Sequence, residues 1–112
     1  MPNKIRSIDN YNVPTVAAAI YTAPNNTATV IQKLTITSEE SANTQLLTIY
    51  KVAPSGVAGA ANTIVYKKPI PPGPITDIPE MVNQVLEAGY SLQAIMDAGA
   101  DFYLNAGLLE NS

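Results

Sequence analysis

The sequence contains no cysteine, no histidine and no tryptophan, and charged residues make up only 13% of its 112 positions. Each absence excludes something. Without cysteine there is no disulfide framework and no thiolate chemistry. Without histidine there is no Ser-His-Asp or Cys-His arrangement, and the usual proton shuttle near neutral pH is missing. Zinc loses its preferred Cys and His ligands together. The six basic residues, Lys4, Arg6, Lys33, Lys51, Lys67 and Lys68, are scattered, and the formal net charge is -3. No basic stripe exists to displace counterions from a phosphate backbone, so nucleic acid is not an expected partner. No apolar run reaches the roughly 18 residues of a membrane span, and no signal-peptide pattern opens the chain, so neither membrane insertion nor secretion is expected. These absences fit folding in a cytoplasm and leave the final location open.

What is present is apolar and neutral-polar. Hydrophobic residues form 46% of the chain, enough for a packed core. The length fits one domain, which buries roughly two thirds of its extended surface on folding. Surface positions fall to Thr, Asn, Ser and Gln where a free monomer normally carries Lys and Glu. Such groups cost less to desolvate against a neighbour, so the composition points to a stable assembly.

Residues 1–12 are polar, with Ile5, Ile8 and Tyr11 their only large apolar side chains. They read as an extended N-terminal arm ahead of a single domain at 13–112, an arm whose removal leaves the fold intact. From Val13 on, short β-type runs alternate with turn residues. Val16 to Ala23 is closed by Pro24-Asn25-Asn26, which is turn chemistry. In Ala28 to Thr37, Ala28, Val30, Leu34 and Ile36 alternate with Thr29, Lys33, Thr35 and Thr37, broken only at Ile31 and Gln32. That is the period of a half-buried strand. Residues 38–43 make a polar turn, Gln45 to Val52 another strand, and Thr63 to Lys67 a further one. Pro69, Pro71, Pro72 and Pro74 remove ladder donors, so that stretch is expected as an extended crossing or an edge.

Residues 80–98 admit two parses. Met81, Val82, Val85 and Leu86 recur at helical spacing between Pro79 and Gly89, which suits a helix. The alternative is strand, a tight turn at Ala88-Gly89, and a strand with Leu92, Ala94 and Met96 on one face. Phe102, Leu104 and Ala106 then alternate with Tyr103 and Asn105 as a last strand.

Several segments resemble a group of small phage virion proteins. They are Tyr21-Thr-Ala-Pro24, Thr29-Val-Ile-Gln-Lys-Leu-Thr-Ile36, Leu47-Thr-Ile-Tyr-Lys-Val52, Pro54-Ser-Gly56, Ala58-Gly-Ala-Ala-Asn62 and Leu86-Glu-Ala-Gly-Tyr-Ser-Leu-Gln-Ala94. The resemblance covers roughly residues 20–107, and departs from the group's pattern at Tyr90, where an acid is usual. It implies an all-β fold, a small antiparallel β-sandwich of jelly-roll type, and so selects the strand parse of 80–98. It also implies a structural role in the virion: a decoration or cement protein that binds the assembled head. The expected partners are the major capsid protein or other virion proteins, and other copies of the chain, as a trimer. A tail fibre or adaptor subunit, or a receptor- or glycan-binding module, are the other readings.

For chemistry, only carboxylate pairs remain: Glu39 with Glu40, Asp97 with Asp101, and Asp77 with Glu80. Glu39 with Glu40 and Asp97 with Asp101 sit in turn-like contexts, and the oxygen ligands of the latter pair suit calcium as the alternative reading; no catalytic site, no metal site and no cofactor are expected. The expected contact residues are Ile5, Arg6 and Ile8 of the arm, with Pro71, Pro72, Pro74 and Ile75 of the proline crossing. A glycan-binding module, by contrast, requires tyrosines clustered on one exposed face.

Overall fold

The computed structural model describes residues 3–16, 18–38, 44–71, 73–97 and 102–111. Nine strands account for most of them: β1 (Asn3–Asn12), β2 (Ala18–Thr22), β3 (Ala28–Ser38), β4 (Gln45–Val52), β5 (Thr63–Ile70), β6 (Gly73–Asp77), β7 (Val85–Leu86), β8 (Ser91–Met96) and β9 (Phe102–Asn111). Sheet 1 runs β1-β9-β3-β6, with β7 also pairing β3, and sheet 2 runs β2-β8-β4-β5. Every pairing is antiparallel.

The connectivity has a simple logic. β4 and β5 form the inner hairpin, β3 lies beside β6 and β7, β2 beside β8, and β1 beside β9. The chain is therefore one long folded hairpin, rolled so that β9 also meets β3 and β8 meets β4. This is the jelly roll, a double-sheet solution to burying one face of each sheet. Between the sheets lie Phe102, Leu34, Ile49 and Leu92, each with no more than 1% of its surface exposed, and their neighbours.

Local chemistry explains the elements. Residues 79–81, the start of the stretch open to a helix, make one 3-10 turn with Pro79 at its head and Met81 buried. The strand parse holds from Val85 to Met96, as β7, a turn and β8. Gly89 has φ +83, a left-handed conformation that glycine adopts without a Cβ penalty, and Tyr90 N–H closes the turn onto Glu87 O at 2.9 Å. Leu92, Ala94 and Met96 then face the core. The proline stretch is both a crossing and an edge: Pro69 lies in β5, which ends at Ile70 on the rim of sheet 2, and β6 opens at Gly73 on the rim of sheet 1.

Two expectations are corrected. Residues 3–12 are not a free arm but the edge strand β1, paired along β9 from Asn3↔Asn111 to Asn12↔Tyr103. Ile8 and Tyr11 pack against the core, so burial and ladder hydrogen bonds hold the segment. In β3, a bulge at Gln32 separates Ile31↔Leu108 from Lys33↔Gly107. One extra residue reverses the facing of everything before it, so Thr29 and Ile31 are buried and Val30 is partly exposed.

Candidate interaction surface

Register places four apolar residues in one row across the outer face of sheet 1. Ile5 pairs with Leu109, Leu109 with Val30, and Val30 with Val85. Directly opposed residues of antiparallel strands share a face, so β1, β9, β3 and β7 each contribute one side chain. The row spans three inter-strand steps, about 14 Å. Ile5 is 81% exposed and Val85 41%, while Leu109 and Val30 are partly exposed. The flanking register positions are Asn3–Asn111–Ala28 and Ser7–Gly107–Lys33, and the Lys51 ammonium donates to Val85 O at 3.2 Å, so Lys33 and Lys51 both border the row. Sequence reasoning named Ile5 but missed the other three, because only the pairing of distant strands brings them together.

The remaining expected contact residues scatter. Ile75 is exposed on β6, and its neighbour Asp77 pairs with outward-facing Thr35. Ile75 thus lies on the same outer face as Ile5, at the diagonally opposite corner. Pro71 is exposed at the turn between the sheets. Pro72 lies outside the described residues, and Pro74 is described only as part of the β6 backbone. Ile8 turns inward against the core, opposite Ala106. Arg6 is engaged within the chain, its Nε 3.2 Å from Glu110 Oε1.

That ion pair belongs to a polar cluster joining four strands. Glu110, at the end of the inward row of β9, is only 6% exposed. It accepts hydrogen bonds from Arg6 on β1 and from the Tyr21 hydroxyl on β2, and Tyr21 Oη lies 2.9 Å from Thr29 Oγ1 on β3. The Tyr21 hydroxyl, and then Arg6, hold the Glu110 carboxyl below the usual carboxylate value against the opposing push of burial. Burial, and then the bond to Glu110, push the Tyr21 hydroxyl up to about 12. Among the described residues no buried side-chain N or O lacks a partner. The cluster is a satisfied structural lock.

Of the candidate carboxylate pairs, only Asp77 with Glu80 lies wholly within the described residues. Glu39, Glu40 and Asp101 lie outside the described residues. Asp77 is exposed, and Glu80 pairs with Lys68 at 3.1 Å. Among the described residues no three His, Cys, Asp or Glu side chains stand close enough to hold a metal ion. No helix among them is long and apolar enough to cross a membrane.

No protein-family model matches the chain. No characterised protein matches it by sequence. Its fold does recur in solved structures. A chain of the infectious bursal disease virus T13 particle superposes with a TM-score of 0.53 at 14% identity, over 96% of this chain and 30% of its own length. A chain of the infectious bursal disease virus Gx strain gives 0.50 at 14% identity, covering 98% and 33%. A subunit of Bacillus endospore appendages, described as disulfide-linked pili, gives 0.57 at 13% identity and covers 99% of this chain and 87% of its own. The chain thus spans about a third of the virus proteins it resembles and nearly all of the appendage subunit. What it shares with them is the fold.

Proposed function

We propose that this chain is a non-enzymatic structural subunit of a bacteriophage particle, a decoration protein that binds the outside of the assembled head. The observation that carries the reading is the row Ile5–Leu109–Val30–Val85. It is an apolar strip on an outer sheet face, bordered by few charges, those of Lys33 and Lys51. A jelly roll shared with a virus-particle chain supports the same reading, as does the low charge of the whole sequence.

Cementing has a mechanical origin here. Each copy buries its strip on shell subunits, so separating them costs that burial. Burying Ile5 alone contributes about 1.5–3 kcal/mol. An interface of about 1,600 Å² in total holds firmly when such anchors are central, and repetition over a symmetric shell multiplies the effect through avidity. A trimer matching a local threefold axis is the arrangement we expect, with the major capsid protein beneath it.

The test is protein mass spectrometry of purified particles together with the solution mass. Hundreds of copies per particle and a trimer in solution support head decoration. A handful of copies, or a multiple of six, moves the protein to the tail. A second reading, a subunit of a self-assembling filament, is favoured by the near-complete match to the appendage subunit. Filaments formed by the purified chain alone, seen by electron microscopy, would select it.

A further inference from the structure

The outer face of sheet 2 carries a feature that the docking strip does not use. On β4, Leu47 pairs with Lys68 and Ile49 with Val65, so Tyr66 and Lys67 together oppose the single residue Thr48. This β-bulge holds Lys67 at φ +49, a left-handed conformation uncommon for a residue with a side chain. Lys67 N–H is fixed on Thr48 Oγ1 at 3.2 Å. In a regular strand one of two successive side chains points inward. The bulge turns both outward, and such devices commonly re-aim side chains next to binding sites.

Both open onto a shallow groove. Its floor is Leu46, Thr48 and Ile95, and its walls are Tyr50, Tyr66, Lys67 and Asp97. Tyr66 is 71% exposed and the Lys67 ammonium lies 5.5 Å from the centre of its ring. Across the groove, Asp97 is fixed by its own ladder, with Leu46 N–H donating to Oδ1 at 2.9 Å and Asp97 N–H donating to Leu46 O at 3.1 Å. The volume is about 150 Å³, below the 300–1,000 Å³ of pockets that engulf a drug-sized ligand. A ligand therefore lies across the groove with one ring seated.

The chemistry of that ring follows from the walls. Two tyrosine rings call for an apolar face, and their hydroxyls, a carboxylate and an ammonium call for several donors and acceptors around its rim. A flat aromatic ligand satisfies the first demand and leaves the charged pair unmatched. A pyranose has C–H groups on its face and hydroxyls at its edge, and meets both. We infer that the Tyr50–Tyr66 groove on the outer face of sheet 2 is a saccharide-binding site. It takes one sugar ring of an exposed glycan, with Tyr66 as the stacking platform and Asp97 and Lys67 as hydroxyl partners. The two outer faces of a sandwich point in opposite directions, so a copy docked through sheet 1 presents this groove to the medium.

The experiment is saturation-transfer NMR on the isolated full chain. The probes are the methyl glycosides of glucose, galactose, mannose and N-acetylglucosamine, with their short oligomers. The expected result is transfer to the ring C–H protons of at least one probe. The signal should fall at least tenfold in Tyr66→Ala, and also in Asp97→Asn, with circular dichroism unchanged. Both residues are exposed, so either variant serves if the other fails to fold. Absence of transfer to every probe overturns the inference, and so does transfer of equal size in a folded Tyr66→Ala protein. The measurement uses no particle, so its outcome is independent of where the protein docks.

Discussion

The hydroxyl of Tyr21 on β2 donates to the carboxylate of Glu110 on β9, and this contact ties sheet 2 to sheet 1 at one end of the sandwich. Removing the hydroxyl leaves a buried carboxylate short of a donor. Tyr21→Phe is expected to cost about 1–3 kcal/mol, measured by urea unfolding at neutral pH. A variant as stable as wild type would show that the lock does not contribute.

The same pair sets a pH profile. The Glu110 carboxyl is held below its ordinary value of 4.5, so between that value and its folded one the unfolded chain binds the proton and the folded chain does not. Stability from this group is complete above pH 4.5 and is lost as pH falls through the folded value. Tyr21 runs the other way. Its hydroxyl is pushed up from 10.0 to about 12, so its contribution is complete below pH 10 and is lost as pH rises towards 12. Unfolding midpoints measured from pH 3 to 11.5 should form a plateau with two falling limbs. Glu110→Gln should flatten the acid limb, and Tyr21→Phe should flatten both. An unchanged acid limb in Glu110→Gln would assign acid sensitivity to other carboxylates.

Gly89 is constrained twice. Its φ is +83, and a Cβ there would stand 2.8 Å from Pro54 Cγ. Gly89→Ala is expected to lower stability by about 1–3 kcal/mol, read as a drop in thermal midpoint with the circular dichroism spectrum preserved. Asn83 is a useful contrast, because it sits at φ +69 with a side chain already present. Asn83→Gly should be neutral or slightly stabilising.

How much of this was legible in the sequence depends on how local each cause is. Turn chemistry at Pro24-Asn25-Asn26 and at Gly89 is local, and those turns stand where the residues place them. Period-two alternation located β9 for the same reason, β4 was legible from its β-branched and aromatic content, and the local pattern of β8 suited a helix as well as a strand. The facing of β3 was not legible before Gln32, since a bulge is a property of two paired strands and one residue of slip reverses every side chain. Glu110 was half legible: it continues the parity of Phe102, Leu104, Ala106 and Leu108, a carboxylate at the end of an apolar row. Its partners Tyr21 and Arg6 lie 89 and 104 positions away, beyond any local signal. The apolar row across sheet 1 is non-local throughout, and of its members only Ile5 stood out, as a large apolar side chain in a polar segment.

The most direct test of the docking strip uses Ile5 and not the segment that bears it. Deleting residues 1–12 strips β1 from β9, uncovers the core beside Ile8 and Tyr11, and takes Arg6 from Glu110. That truncation should yield an unfolded or aggregated chain, with β9 left as a bare edge, and its failure to coat particles would say nothing about contacts. Ile5→Lys changes a side chain that is 81% exposed, so stability should stay within about 0.5 kcal/mol of wild type. Losing the burial of one isoleucine at a contact amounts to about 1.5–3 kcal/mol, roughly ten- to hundredfold in affinity. Occupancy on particles, titrated with purified protein and read by quantitative gel, should fall accordingly. Val85→Lys, at the far end of the same row, should act in the same direction. Ile75→Lys, at the opposite corner of the face, separates a strip from a whole-face contact: wild-type occupancy confines the contact to the strip, and a comparable loss extends it across sheet 1. Wild-type occupancy for both Ile5→Lys and Val85→Lys would remove the row from the interface altogether.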